Sequence, residues 1–154
     1  MYRSLAYTRP ANIFVVLDET KAISSSNPAG EYNRHIRWHF PDRPVVTGNT
    51  LKVEQQESRA NMAFLLPDNA QVKPVSELDN PDPGNGRPYG FNSGTWRVEV
   101  SDPTASRTTP FLTVIQPTFL ADPAMTATKI TSTGATMISA SVTAPGQGSY
   151  GMMF

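Results

Sequence analysis

The stretch NRHIRWHFPDRP, residues Asn33 to Pro44, holds both histidines of the chain, His35 and His39. On a helix, an H-x3-H pair puts two imidazoles on one face about one turn apart, near enough to share a metal. On a strand the same two residues share a face but lie ~13 Å apart along it. Zinc–nitrogen bonds are only ~2.0–2.1 Å, so a strand pair cannot chelate one ion without a bend. A second use for either histidine is as a base oriented by a carboxylate. Asp18 and Glu19, on another segment, are the candidate partners. That constellation would suit a small hydrolase acting on an ester, lactone or glycoside. The chain has no G-x-S-x-G elbow, and Ser93 in FNSGTW stands before a strand pattern, as a turn residue does.

Two other groups could bind rather than react. ELDNPDPGNG gathers Glu77, Asp79, Asn80, Asp82 and Asn85. Calcium takes six to eight oxygen ligands, and such loops supply them, so Glu77, Asp79, Asp82 and Asn85 are the candidate metal ligands. The plainer reading is a solvated turn cluster, since the spacing is not that of an EF-hand and two prolines stiffen it. Tyr32, Tyr89 and Phe91 sit in loops rich in Gly, Pro and Asn, where an aromatic face could stack on a sugar ring. Arg34, Arg37 and Arg87 lie nearby and could pair in bidentate fashion with uronate carboxylates.

The elements that would carry these residues are strands. In HIRWHF, Ile36, Trp38 and Phe40 alternate with His35, Arg37 and His39. TWRVEV alternates in the same way, with Trp96, Val98 and Val100 on the dry side, and TLKVEQ places Leu51 and Val53 there. ISASV, Ile138–Val142, alternates more weakly. IFVVL (Ile13–Leu17), MAFLL (Met62–Leu66) and FLTVI (Phe111–Ile115) are apolar on both sides, the pattern of strands buried on both faces. No window shows a capped 3.6-residue period. The expected fold is all-β, an antiparallel β-sandwich, as one domain over residues 1–154. The histidines are then strand residues beside Arg37, not a chelating pair. Both tryptophans share a face with aliphatic residues and are expected in the core, not on a sugar platform.

Composition narrows the partners. The chain has 154 residues, with 13 basic and 13 acidic side chains, so its formal net charge is zero. A nucleic-acid binder needs a basic surface to displace phosphate counterions, so no nucleic-acid partner is expected. No apolar run approaches the ~20 residues of a spanning helix, and no membrane partner is expected. With no cysteine, thiol catalysis and cysteine zinc sites are excluded. The N-terminal MYRSLAYTRPANIF lacks the order of a signal peptide.

Several segments, taken in order, resemble a known arrangement. YRSLAYTRPANIFVVLDETKA reads as an Arg-bearing strand, a Pro turn and a hydrophobic strand ending in Asp. IRWHFPDRPVVTGNTLKVEQ, AFLLPDNAQVKPV and GTWRVEVSDPTASRTTPFLTVIQPT follow with a His-bearing strand, a Leu-Leu-Pro motif and a Trp-Arg-Val-Glu strand. Together, over roughly residues 2–120, they resemble the C-terminal β-sandwich region of heparinase II/III-like polysaccharide lyases. The resemblance implies an all-β fold, acidic polysaccharide as the partner, and a periplasmic or extracellular setting. In such lyases the catalytic Tyr and His come from a helical toroid and the early sheet strands, upstream of what matches here. His39 aligns with a strand histidine, not with a catalytic one, and no catalytic residue carries over. The expected function is therefore a non-catalytic β-sandwich domain of polysaccharide-lyase ancestry that binds acidic polysaccharide, with no cofactor unless calcium binds the acidic loop. The alternative is the small hydrolase, metal-assisted or not, using His35 or His39. The doubly apolar strands add a last expectation. With no helix to cover their second face, a homo-oligomer would cover it, unless long loops thicken the monomer into three layers.

Overall fold

The computed structural model describes residues 1–21, 34–76, 96–104, 106–130 and 137–154. Every regular element among the described residues is a strand, and every pairing is antiparallel. The strands are β1 (Tyr2–Thr8), β2 (Ile13–Lys21), β3 (His35–Phe40), β4 (Val45–Thr47), β5 (Thr50–Gln55) and β6 (Ser58–Leu66). They continue with β7 (Gln71–Ser76), β8 (Trp96–Ser101), β9 (Thr108–Phe119), β10 (Thr126–Ile130), β11 (Ser139–Ala144) and β12 (Gly148–Met153). The all-β sandwich expected from periodicity is the fold observed.

A central six-stranded sheet runs β1-β2-β9-β6-β5-β4, and two three-stranded sheets, β3-β8-β7 and β10-β11-β12, accompany it. Period-two alternation decides what each face meets. Ile13, Val15 and Leu17 of β2, Ala63 and Leu65 of β6, and Leu112 and Val114 of β9 pack against Ala140, Val142, Ala144 and Met152 of β11 and β12. On the other face, Met62, Phe64, Phe111 and Leu51 pack against Ile36, Phe40, Val98 and Val100 of β3 and β8. The central sheet is thus the middle of three layers. This is why IFVVL, MAFLL and FLTVI are apolar on both sides, as fully buried strands must be.

The expectation of a homo-oligomer rested on those faces needing cover from outside the chain. Among the described residues, strands of the chain itself lie on both faces, β11 and β12 on one side and β3 and β8 on the other. The apolar tail GSYGMMF is part of that cover. It forms β12, paired along β11 from Ala144↔Gly148 to Ser139↔Met153, and Phe154 N donates to Ile138 O at 2.9 Å.

Tight turns hold the register. Gly48 (φ +58°) opens the two-residue loop between Thr47 and Thr50, the first central position at which a II′ turn requires positive φ. Gln56 occupies the same left-handed region (φ +54°) between the paired Gln55 and Ser58, without glycine's freedom. Asn12 (φ +50°) is better compensated, since it accepts from the Tyr7 hydroxyl (3.1 Å) and donates to Pro117 O (3.1 Å).

Candidate functional site

Strand β3 turns Ile36 and Phe40 into the core, with Trp38 against its margin, so His35, Arg37 and His39 point to the opposite, outward face of the β3-β8-β7 sheet. The register then builds three rows across that face. Across β3, β8 and β7 they run His35–Ser101–Gln71, Arg37–Glu99–Lys73 and His39–Arg97–Val75. Adjacent strands are ~4.8 Å apart, so the row Arg37–Glu99–Lys73 spans about 10 Å. Two arginines, Arg37 and Arg97, therefore meet one carboxylate, and Lys73 stands beside it in the register.

Glu99 is the hub. Its Oε1 lies 2.9 Å from Arg97 Nε and 3.2 Å from Arg37 Nε. Burial alone would raise the Glu99 carboxyl. The hydrogen bond from Arg97, then the charges of Arg97 and Arg37 with a smaller contribution from His35, outweigh it and hold the group below the usual carboxylate range. Arg97 is buried, with its side chain 8% exposed, whereas Arg37 is 46% exposed and Lys73 is exposed. Arg37 and Lys73 are thus the exposed cations of this face, and Arg97 lies buried beneath them.

The structure does not bring the hydrolase candidates together. Asp18 shares its face of β2 with Val16, toward β3-β8-β7, and is fully buried, while Glu19 points to the other side. The Asp18 carboxylate is held by a bidentate fork from Arg3 on β1, Nε to Oδ1 at 2.6 Å and Nη2 to Oδ2 at 2.8 Å. His35 and His39 face outward from a different layer, four residues apart on one strand, as a non-chelating pair must be. Among the described residues no group of three or more His, Cys, Asp or Glu could hold a metal ion.

The remaining candidates divide. Arg34 lies just ahead of β3 with its guanidinium nitrogens buried and its carbonyl accepting from Asp102 N at 3.2 Å, so it is not presented to a ligand. Tyr32, Arg87, Tyr89 and Phe91, and the acidic group Glu77, Asp79, Asp82 and Asn85, lie outside the described residues. The tryptophans are half-buried at the margin of the core, not within it. Each carries a cation of the chain itself over its ring, Arg3 over Trp38 at 5.8 Å and Arg43 over Trp96 at 5.2 Å. The expectation that both lie in the core holds only in part. Lys73 and Arg97 were not singled out in the sequence. The one available signal for Arg97 was its wet-side place in TWRVEV, and for Lys73 there was none before the pairing of β7 with β8 was known.

The class defined by fold and site is a three-layered antiparallel sandwich bearing a cationic wet face, without a catalytic cluster among the described residues. No family model and no curated protein matches the chain. Solved structures that share its fold include two of heparinase type. One is a mutant of the heparan sulfate lyase HepC from Pedobacter heparinus, with a TM-score of 0.61 at 13% identity. The other is a heparinase III gene product, with a TM-score of 0.58 at 14% identity. In each case 92% of this chain is covered, and the chain spans 22% of the length of the structure it matches.

Proposed function

We propose that the chain is a non-catalytic β-sandwich unit of polysaccharide-lyase ancestry that binds acidic polysaccharide through the outer face of β3-β8-β7. The observation that carries this reading is the pairing of Arg37 and Arg97 with the single carboxylate of Glu99, with the exposed Lys73 beside it in the register. Arg37 keeps donors beyond the Nε turned to Glu99, and a guanidinium fork suits carboxylate and sulfate alike. The likeness to heparinase-type structures supports the polymer class, and a periplasmic or extracellular setting goes with it.

Isothermal titration with heparin, alginate and hyaluronan at low salt tests the reading. The double variant Arg37→Ala/Lys73→Ala is expected to weaken binding by about 5- to 30-fold, the effect of two exposed charge contacts at up to ~1 kcal/mol each. Binding of the parent chain should also fall steeply with added salt. If the parent binds none of the three polymers at millimolar concentration, or the double variant binds as well as the parent, the proposal is wrong.

A further inference from the structure

The outer face of β3-β8-β7 carries two side chains that the polymer-binding reading leaves unused. His35 and His39 flank Arg37 on β3, one on each side, and point outward with it. Residues two apart on a strand are about 7 Å apart. That is within the Debye length of ~10 Å at 0.1 M salt. His35 is half-buried and His39 is exposed. A charge on either imidazole therefore acts on the same ligand as the Arg37 guanidinium.

The register sets which groups face each histidine. His35 stands in line with Ser101 of β8 and Gln71 of β7, and His39 with Arg97 of β8 and Val75 of β7. Arg37, Glu99 and Lys73 form the row between them. The charge of His35 reaches the Glu99 carboxyl. Imidazole is the side chain that ordinarily gains its proton between pH 8 and 5, whereas guanidinium and ammonium groups keep theirs throughout. Burial would raise Glu99, but the hydrogen bond from Arg97 and the charges of Arg97 and Arg37 hold it below the usual carboxylate range. It therefore stays ionised across that window. Among the described residues of this face, the histidines are the groups whose charge changes. They are also the two histidines of the chain, so the imidazole charge gained in this window falls on one face. Arg37, Arg97 and Lys73 against Glu99 give the three rows a net charge of +2, and two imidazolium groups double it.

We propose that protons gate this face: acidic polysaccharide binds more tightly as His35 and His39 become cations, and its binding draws protons onto them. The inference rests on the polymer-binding reading and adds its regulation. Linkage makes the two effects one, since whatever a proton does for the polymer the polymer does for the proton. The carboxylates of the polymer stay ionised above about pH 5, so the change lies on the protein.

Isothermal titration with heparin at one low salt concentration, at pH 7.5 and at pH 5.5, tests the gating. Affinity is expected to rise about 5- to 30-fold at the lower pH, the scale of two added charge contacts. At pH 6.5 the binding enthalpy should differ between cacodylate and Bis-Tris, buffers of unlike ionisation enthalpy, by an amount that corresponds to proton uptake. His35→Gln/His39→Gln should flatten the pH profile and remove the uptake. In the parent chain, the imidazole proton resonances of both histidines should titrate at higher pH with heparin bound than without it. Equal affinity at the two pH values, or a rise at pH 5.5 that survives His35→Gln/His39→Gln, overturns the gating and leaves polymer binding in place. Absence of heparin binding at both pH values overturns the two together.

Discussion

Removal of Arg3 probes the point where three layers of reasoning meet. Its guanidinium donates twice to Asp18, at 2.6 and 2.8 Å, and its carbon lies 5.8 Å from the centre of the Trp38 ring. Arg3→Ala leaves the Asp18 carboxylate buried without its counter-charge. Breaking one side of a fully buried pair costs about 3–5 kcal/mol. Here the aspartate is fully buried but the arginine side chain is 53% exposed, so water already screens one side of the pair. The expected loss is therefore about 2–3 kcal/mol, including the cation–π contact. For a chain of this size that corresponds to a fall in Tm of about 5–10 °C. The double variant Arg3→Met/Asp18→Leu removes both charges from the same site and should recover most of the loss, since well-packed apolar residues replace buried pairs with little penalty. Urea unfolding followed by tryptophan fluorescence measures both, with Trp38 as a local reporter. A loss below about 1 kcal/mol for the single variant, or a double variant no more stable than the single, would refute the reasoning.

Other consequences are as direct. Asp102 is buried, which alone would raise its carboxyl, but hydrogen bonds from the Thr104 hydroxyl (2.5 Å), the Thr109 hydroxyl (2.7 Å) and Thr104 N (2.8 Å) hold it below the usual range. With its folded pKa below the unfolded value of ~3.9, it stabilises the fold above that pH, and the contribution is lost as pH falls through the folded pKa. Tm measured from pH 7 down to 3 should fall less steeply for Asp102→Asn than for the parent. Gln56→Gly relieves a left-handed residue and, since that strain of about 1–2 kcal/mol exceeds glycine's entropy cost of about 0.5–1, should stabilise by about 0.5–1 kcal/mol in the same urea assay. Phe111→Ala, at a fully buried position facing β3-β8-β7, should cost about 3–5 kcal/mol by calorimetry, far more than Phe119→Ala at an exposed position.

Legibility followed the strength of the periodic signal. IFVVL, MAFLL and FLTVI announced strands buried on both faces, because a run without a charged residue and with at most one threonine leaves no face for water. HIRWHF announced one dry and one wet face, and with it the outward direction of His35, Arg37 and His39. The third layer was harder to see. TATKI, SASVTA and GSYGMM bury Ala140, Val142, Ala144 and Met152, mostly small side chains that fill space against a sheet while adding little hydropathy. Their low hydropathy hides the cover that they give the central sheet. The Arg3–Asp18 pair depends on the register of β1 against β2, which no single segment encodes. The cationic face likewise needs β3, β7 and β8 side by side. Arg37 could be read from its own strand, but its company of Lys73 and Arg97 arises only from long-range pairing.

The place of β9 at the heart of the middle layer bears on how the chain can be made. In the sheet order, β9 stands between β2 and β6, so β2 has only β1 beside it until a strand far along the sequence arrives. As the chain emerges from N- to C-terminus, Ile13–Leu17 is exposed long before its neighbour exists, and the face later covered by β11 and β12 stays wet until Phe154 is in place. Local hairpins such as β4–β5 and β5–β6 can close early, while β2–β9 and β3–β8 must wait for distant segments to meet. Pairings of that span make folding slow, on the millisecond-to-second scale, and leave nascent apolar strands open to association with one another. Saturated strands that stabilise the finished sandwich are, during synthesis, its most vulnerable segments.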